Sequence, residues 1–204
     1  MPTIFLVRHG ETDWNREGRI MGTLPVPLNE RGDEQARGVA QALTRYPIAA
    51  LFSSPVARAV QTARRVSERL GLPITEEAGL TELAMGGWEG RYWNELESDQ
   101  SRRSLYSHPL EARAPGGETL AEVQKRAVAA IENALAIQNH RPSVFVTHAD
   151  VVRTVVAHYL NLRITDSQRL RIDHASLTII ELTSTKPYLV MFNYVYFHDN
   201  RPPD

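Results

Sequence analysis

The sequence predicts an α/β fold of three layers, with a mostly parallel central sheet, one antiparallel strand, helices on both faces and a short lid insertion. Three observations carry this. Short apolar runs alternate with amphipathic helical stretches, the pattern of strands joined by crossover helices. The runs Ile4-Phe5-Leu6-Val7 and Val144-Phe145-Val146 are apolar throughout, as buried strands are. Two segments near the C-terminus, rich in β-branched and aromatic residues and separated by a short turn, read as a hairpin, which makes one strand antiparallel. With 204 residues the chain suits one domain, residues 1–204, built on a sizeable core.

Taken in order, the first strand stops abruptly at Arg8-His9-Gly10. Glu30 to Tyr46 carries Ala36, Val39, Ala40 and Leu43 at helical spacing behind Asn29 as a cap. Ala49 to Phe52 leads into Ser53-Ser54-Pro55, and Val56, Ala59, Val60, Ala63, Val66 and Leu70 then mark a helical face closed by Gly71. This order places Pro55 at the first helical position. Met85 to Glu118 breaks the pattern by mixing Trp88, Tyr92, Trp93 and Tyr106 with many charges, and reads as an insertion over one end of the sheet. Thr119 and Glu122 form a capping box for a helix along Leu120, Val123, Ala127, Ile131 and Leu135. Val144 to Val146 runs through Thr147-His148 into a helix with Val151, Val152, Val155, Val156 and Tyr159 inward. The hairpin is Ser176 to Thr183 and Tyr188 to Phe197, turning at Thr185-Lys186-Pro187, and Asn200 to Asp204 reads as a loose tail.

Composition narrows the function. A net charge of −1 provides no basic field for nucleic acid or an anionic membrane, so any anion must be held locally. The chain has no cysteine, which excludes disulfides, thiol nucleophiles and thiolate metal sites. No apolar stretch approaches the roughly 20 residues that cross a bilayer, so a cytoplasmic location is expected.

The charged residues that matter stand at strand ends. Arg8-His9 follows the first strand, Arg58 falls in the first helical turn after Phe52-Ser53-Ser54, and His148 follows Val146-Thr147. In an open parallel sheet the carboxyl ends of strands share one edge, so residues far apart in sequence meet there. Two arginines and two histidines make an oxyanion pocket, because the guanidinium fork matches phosphate bidentately and a helix N-terminus adds N–H groups.

Arg8-His9-Gly10-Glu11-Thr12 with Asn15, Ser53 to Ala63, Leu80-Thr81-Glu82 with Gly87-Trp88-Glu89-Gly90, Gly116-Gly117-Glu118-Thr119 and Val146-Thr147-His148 occur in that order. Together they resemble the histidine phosphatase superfamily, in the branch related to cofactor-dependent phosphoglycerate mutase and of the broad-specificity phosphatase type. The resemblance implies His9 as the nucleophile that carries the phosphoryl group, with Arg8, Arg58 and His148 completing the pocket. It implies further phosphate contacts from Asn15, Gly22 and Ala149, and Glu82 as proton donor. The chemistry asks for such a donor independently, since an alkoxide leaving group must be protonated and a carboxyl in a crevice keeps its proton near neutral pH. His9 must attack neutral, so its second ring nitrogen is expected on a backbone carbonyl. Met21-Gly22 departs from the pattern, because many relatives carry Gln, Ser or Thr at that methionine and the side-chain hydrogen bond is lost.

The function expected is a metal-independent phosphomonoesterase acting on small acidic phosphometabolites through phosphohistidine, with no cofactor. The alternatives are a phosphoglycerate mutase using the same intermediate and a catalytically silent binding module. The silent module is disfavoured because His9, Arg58, Glu82 and His148 are all present. Between Glu82 and Gly116 lie only residues 83–115, shorter than the segment with which mutases of this family enclose substrate, and a shorter lid admits water more easily. A metal on His9, His148 and Glu82 is disfavoured because Arg8 and Arg58 repel a divalent cation. His108, His140, His158, Arg171, His174 and His198 match no block and read as surface or structural. Arg102 and Arg103 read as a solvated helix face, with contact to an acidic substrate as the alternative. The aromatics of the insertion either line a pocket or form its own small core.

Overall fold

The computed structural model describes residues 2–97 and 99–196. Phe197, His198 and the tail 200–204 lie outside the described residues, as does the Arg103 side chain. Strand β1 is Thr3–Arg8, followed by a short helix α1 at Asp13–Glu17 and by α2 at Glu30–Leu43. Then come β2 at Ala50–Ser53, α3 at Ala57–Leu70 and β3 at Ile74–Glu76. After 3-10 turns at Ala78–Leu80, Gly86–Trp88 and Trp93–Leu96 the chain forms α4 at Gln100–Ser107 and α5 at Leu120–Ile137. Strand β4 at Ser143–Thr147, α6 at Ala149–Tyr159, β5 at Leu177–Leu182 and β6 at Pro187–Tyr194 complete it.

The sheet order is β3-β2-β4-β1-β5-β6. β1, β2, β3 and β4 pair in parallel, and β5 runs antiparallel to both β1 and β6, so it is the one reversed strand. The pleat divides the core in two, because successive side chains point to opposite faces. Ile4, Leu6 and Phe145 pack with Val123, Ile131, Val151 and Val155 of α5 and α6 on one face. Phe5, Val7, Val144 and Val146 pack with Val39, Leu43, Ala59 and Ala63 of α2 and α3 on the other. Three layers result, with helices on both faces.

Two sequence expectations shift. Helix α3 begins at Ala57 with Val56 as N-cap and no side-chain cap, so Pro55 lies before the helix. The Ser54 hydroxyl that would cap it is held by His148 Nε2 at 2.8 Å and by the Val56 N–H at 3.3 Å. Pro187 belongs to β6 and not to the turn, since the first residue of an edge strand tolerates a missing N–H. Strand β3, three residues long, and the five-residue α1 are too short to show a period in sequence.

Residues 85–118 are rooted in the main core, with Trp88, Leu96, Leu105 and Ala114 buried in the layer of α5 and α6. Register sets the active edge: Arg8 of β1 lies opposite Thr147 of β4, and Ser53 of β2 opposite Val146. Residues 9, 54 and 148 therefore leave the sheet side by side.

The loop after β1 is clamped by α2. Glu11 N–H donates to Gln35 Oε1 at 2.9 Å, Asn29 N–H donates to the Glu11 carbonyl at 3.0 Å, and Asn29 Oδ1 caps Gly32 N–H at 2.8 Å. Gly32 packs so closely that a Cβ there would strike the Glu11 carbonyl, a backbone atom that cannot rotate away. Gly32→Ala is expected to cost about 1–3 kcal/mol of stability by overpacking. Denaturant unfolding beside wild type checks it, and an unchanged midpoint would show that the loop yields freely.

Candidate active site

A cleft of about 480 Å³ opens at the sheet edge and is lined by Arg8, His9, Asn15, Met21, Gly22, Arg58, Glu82 and Ala149 among others. His9 leaves β1 with its N–H on the Thr147 carbonyl at 2.9 Å, which ties it to β4. Its Nδ1 lies 2.6 Å from the Gly10 carbonyl. A carbonyl oxygen only accepts, so the proton sits on Nδ1 and Nε2 keeps its lone pair. Arg58 Nε donates to that lone pair at 3.2 Å. Burial first, then Arg58, His148 and Arg8, hold His9 well below the ordinary imidazole pKa, so it is neutral.

Arg58 comes from the first turn of α3 and is fully buried. Its terminal nitrogens donate to the carbonyls of Leu24 at 3.0 Å and Gly22 at 2.7 Å, which fixes the fork against the loop after α1. Burial lowers both Arg8 and Arg58 to about 10, and both remain charged at neutral pH. His148 is the N-cap of α6, and its ring stands 5.2 Å from that of His9, edge on. His148 Nδ1 and Arg8 Nε are both buried without a hydrogen-bond partner, two polar atoms on which a bound oxyanion fits.

Asn15 gives its side-chain oxygen to the Thr12 N–H at 3.0 Å in a capping box, which leaves the amide donors for the cleft. The Thr12 hydroxyl has Asn15 Oδ1 at 2.9 Å and Met21 Sδ at 3.2 Å as acceptors, and the Met21 thioether has no proton to donate to the cleft. Ala149 is the first residue of α6, where backbone N–H groups lack helical partners.

Glu82 lies in the cleft with its backbone pinned. Arg126 Nη2 donates to the Glu82 carbonyl at 3.1 Å, and Arg126 is itself paired with Glu118 at 2.9 Å. Burial, then the neighbouring Asp150 carboxylate, raises Glu82 to about 7, against the Leu83 N–H bond, Arg58 and Arg8. Glu89 of the Gly-Trp-Glu-Gly block joins the loop after α1 to residue 85, accepting from Thr23 N–H at 2.9 Å and Met85 N–H at 3.1 Å.

Sequence reasoning missed several neighbours. Asp150 pairs with Arg153 at 2.9 Å, and with Arg153, Gln168, Arg19 and Trp14 it lines the cleft. Its position two residues after His148, in the first turn of α6, was the available signal. Arg102 lines the cleft with its guanidinium 5.7 Å from the Trp93 ring centroid, so it is not a merely solvated face. The aromatics divide: Trp88 is core, Trp93 and Tyr106 line the cleft, and Tyr92 is exposed. His174, read as surface or structural, stands 2.9 Å from Arg8 Nη2 and 6.2 Å, ring to ring, from His9. Among the described residues no three His, Cys, Asp or Glu side chains group as metal ligands would. Nor, among them, is any helix long and apolar enough to cross a membrane.

The model of the histidine phosphatase superfamily, branch 1, matches residues 4–195. The chain belongs to that superfamily. Among its curated relatives is a probable phosphoglycerate mutase GpmB of Enterobacter sp. (strain 638), 33% identical over 89% of this chain and 85% of the relative. Among solved structures it is similar to a mycobacterial glucosyl-3-phosphoglycerate phosphatase complexed with VO3, at 27% identity and a TM-score of 0.86 over 95% of this chain and 99% of the other. It is also similar to a phosphoserine phosphatase of Entamoeba histolytica, complexed with phosphoserine. That likeness is 25% identity and a TM-score of 0.86 over 95% and 97% of the two chains. The proteins this chain is similar to thus carry both phosphatase and mutase names, the mutase at 33% identity and the phosphatases at 27% and 25%.

Proposed function

We propose that the protein is a cytoplasmic, metal-independent phosphomonoesterase acting on small acidic phosphate esters through a phosphohistidine on His9. The observation that carries this is the His9 ring, which lines the cleft: Nδ1 is tied to the Gly10 carbonyl, so the lone pair is on Nε2, where Arg58 Nε donates to it. In the first step Nε2 attacks phosphorus, the P–O ester bond breaks, and the protonated Glu82 gives its proton to the departing oxygen. In the second, water attacks phosphorus, Glu82 takes the proton, and the P–N bond breaks to return neutral His9. Arg8, Arg58 and His148, with Asn15 and the backbone N–H groups of Gly22 and Ala149, hold the oxygens in flight. Arg102 and Arg153 at the cleft wall suit an acidic substrate. Residues 85–118 act as a short lid.

Hydrolysis is preferred to transfer because that lid is short and Met21 brings no polar group to hold an acceptor hydroxyl. A mutase reading draws support from the relatives' names. With phosphorylated enzyme and excess 2- or 3-phosphoglycerate, inorganic phosphate should appear faster than the isomer, and exhaustive chelation should leave the rate unchanged. Isomerisation ahead of phosphate release by about tenfold, roughly 1.4 kcal/mol in relative barrier, would replace this reading with the mutase.

The Glu82–Asp150 neighbourhood sets a pH dependence. With alkyl phosphates kcat/KM needs protonated Glu82, so it falls as pH rises through about 7. Asp150→Asn removes a like charge, lowers the Glu82 pKa and moves that falling limb to lower pH. A limb that stays in place in the pH profile would separate Asp150 from the acid.

A further inference from the structure

Because β5 is reversed, the loop leading into it lies at the edge where β1, β2 and β4 end. That loop is bolted to β1: Arg8 N–H donates to the Ser176 carbonyl at 3.2 Å and Ala175 N–H to the His9 carbonyl at 3.1 Å. Ala175 takes a φ of +51°, uncommon for a residue with a Cβ, and Ser176 N–H closes the turn on the Asp173 carbonyl at 3.2 Å. Asn193 of β6 grips Asp173 twice, accepting its N–H at 2.7 Å and donating to its carboxylate at 2.7 Å. The turn is therefore rigid, and it presents two acceptors to one guanidinium. The Ile172 carbonyl takes Arg8 Nη1 at 2.6 Å, and His174 Nε2 stands 2.9 Å from Arg8 Nη2. A guanidinium only donates, so His174 Nε2 is the acceptor and its proton is on Nδ1.

We propose that His174 is a positioning residue of the phosphate pocket: with the Ile172 carbonyl it fixes the plane of the Arg8 guanidinium, so that the buried, unpartnered Arg8 Nε–H faces the phosphoryl oxygens. The inference rests on the reading of Arg8 as a phosphate ligand. His174 Nε2 is taken up by the Arg8 guanidinium, so it acts through Arg8. Burial, Arg8 and Arg31 hold the imidazole far below its ordinary pKa, which keeps the acceptor neutral. Arg58 is fixed in the same way by the Gly22 and Leu24 carbonyls. At Arg8 one of the two terminal acceptors is a side chain, so there a substitution can test the clamp.

The test is competitive inhibition of aryl phosphate hydrolysis by inorganic phosphate. His174→Ala should weaken phosphate by about tenfold, the scale of one hydrogen bond to a charged group. His174→Asn, which keeps an acceptor, should recover most of that affinity. His174→Leu keeps bulk without an acceptor and should behave like the alanine variant, which covers the case where alanine does not fold. In an Arg8→Ala background the His174 change should add nothing further. Unchanged phosphate inhibition in the His174 variants, with Arg8→Ala impaired, overturns the proposal alone, and so does a His174 effect undiminished without Arg8. Unchanged inhibition in Arg8→Ala overturns the phosphate-ligand reading itself and the proposal with it.

Discussion

His9→Ala is expected to abolish turnover, with a loss on the order of 10⁵-fold or more, as when other enzymes lose a covalent nucleophile. The reason lies in the cleft: no cysteine is present, and the other imidazoles near it are committed. His148 Nε2 is engaged by Ser54 and His174 Nε2 by Arg8. The Arg58 and Arg8 forks are held by neighbouring carbonyls and His174, so the alanine variant should keep its fold and still bind inorganic phosphate. Quenched reactions with a labelled aryl phosphate measure the outcome directly. Wild type should yield an acid-labile phosphoenzyme and the variant none; a phosphoenzyme that survives in His9→Ala would sink the assignment.

Glu82→Gln carries the second largest effect, expected at about 10²–10⁴-fold on alkyl phosphates, the range of a lost general acid. An amide cannot protonate the departing alkoxide, and an aryl leaving group hardly needs it. The variant should therefore still phosphorylate His9 from an aryl phosphate in a rapid burst. It should then turn over slowly, because the second step lacks the carboxylate that takes a proton from water. The variant should keep its fold, since Arg126 and the Thr147 hydroxyl, on the Leu80 carbonyl at 2.6 Å, pin the Glu82 segment through its backbone. Equal losses on alkyl and aryl esters would remove Glu82 from the acid role.

Much of this molecule is legible in the chain. The alternation of apolar runs and helical faces determines the layers, because burying one face of each element permits few arrangements. Continuous runs at Ile4–Val7 and Val144–Val146 announce strands covered on both sides, and the five blocks lead to Arg8, His9, Arg58, Glu82 and His148. A strand end followed by charge is a local signal, and local signals survive in sequence. Even the tautomer expected of His9 follows from the need for a neutral nucleophile.

Only the tertiary structure decided what those residues lean on. Ser54 reads as part of a helix start and serves His148 instead, because two strand ends lie side by side in register. Asp150 belongs to no block, and its effect on Glu82 exists only across the cleft. His174 belongs to no block; it reaches Arg8 because the one antiparallel strand begins where its parallel neighbours end. Distance along the chain hides such partners, since a hydrogen bond over 166 positions leaves no period or spacing to read. The residues proposed as nucleophile, acid and phosphate ligands are thus legible in the sequence, whereas the contacts that surround them arise from packing alone.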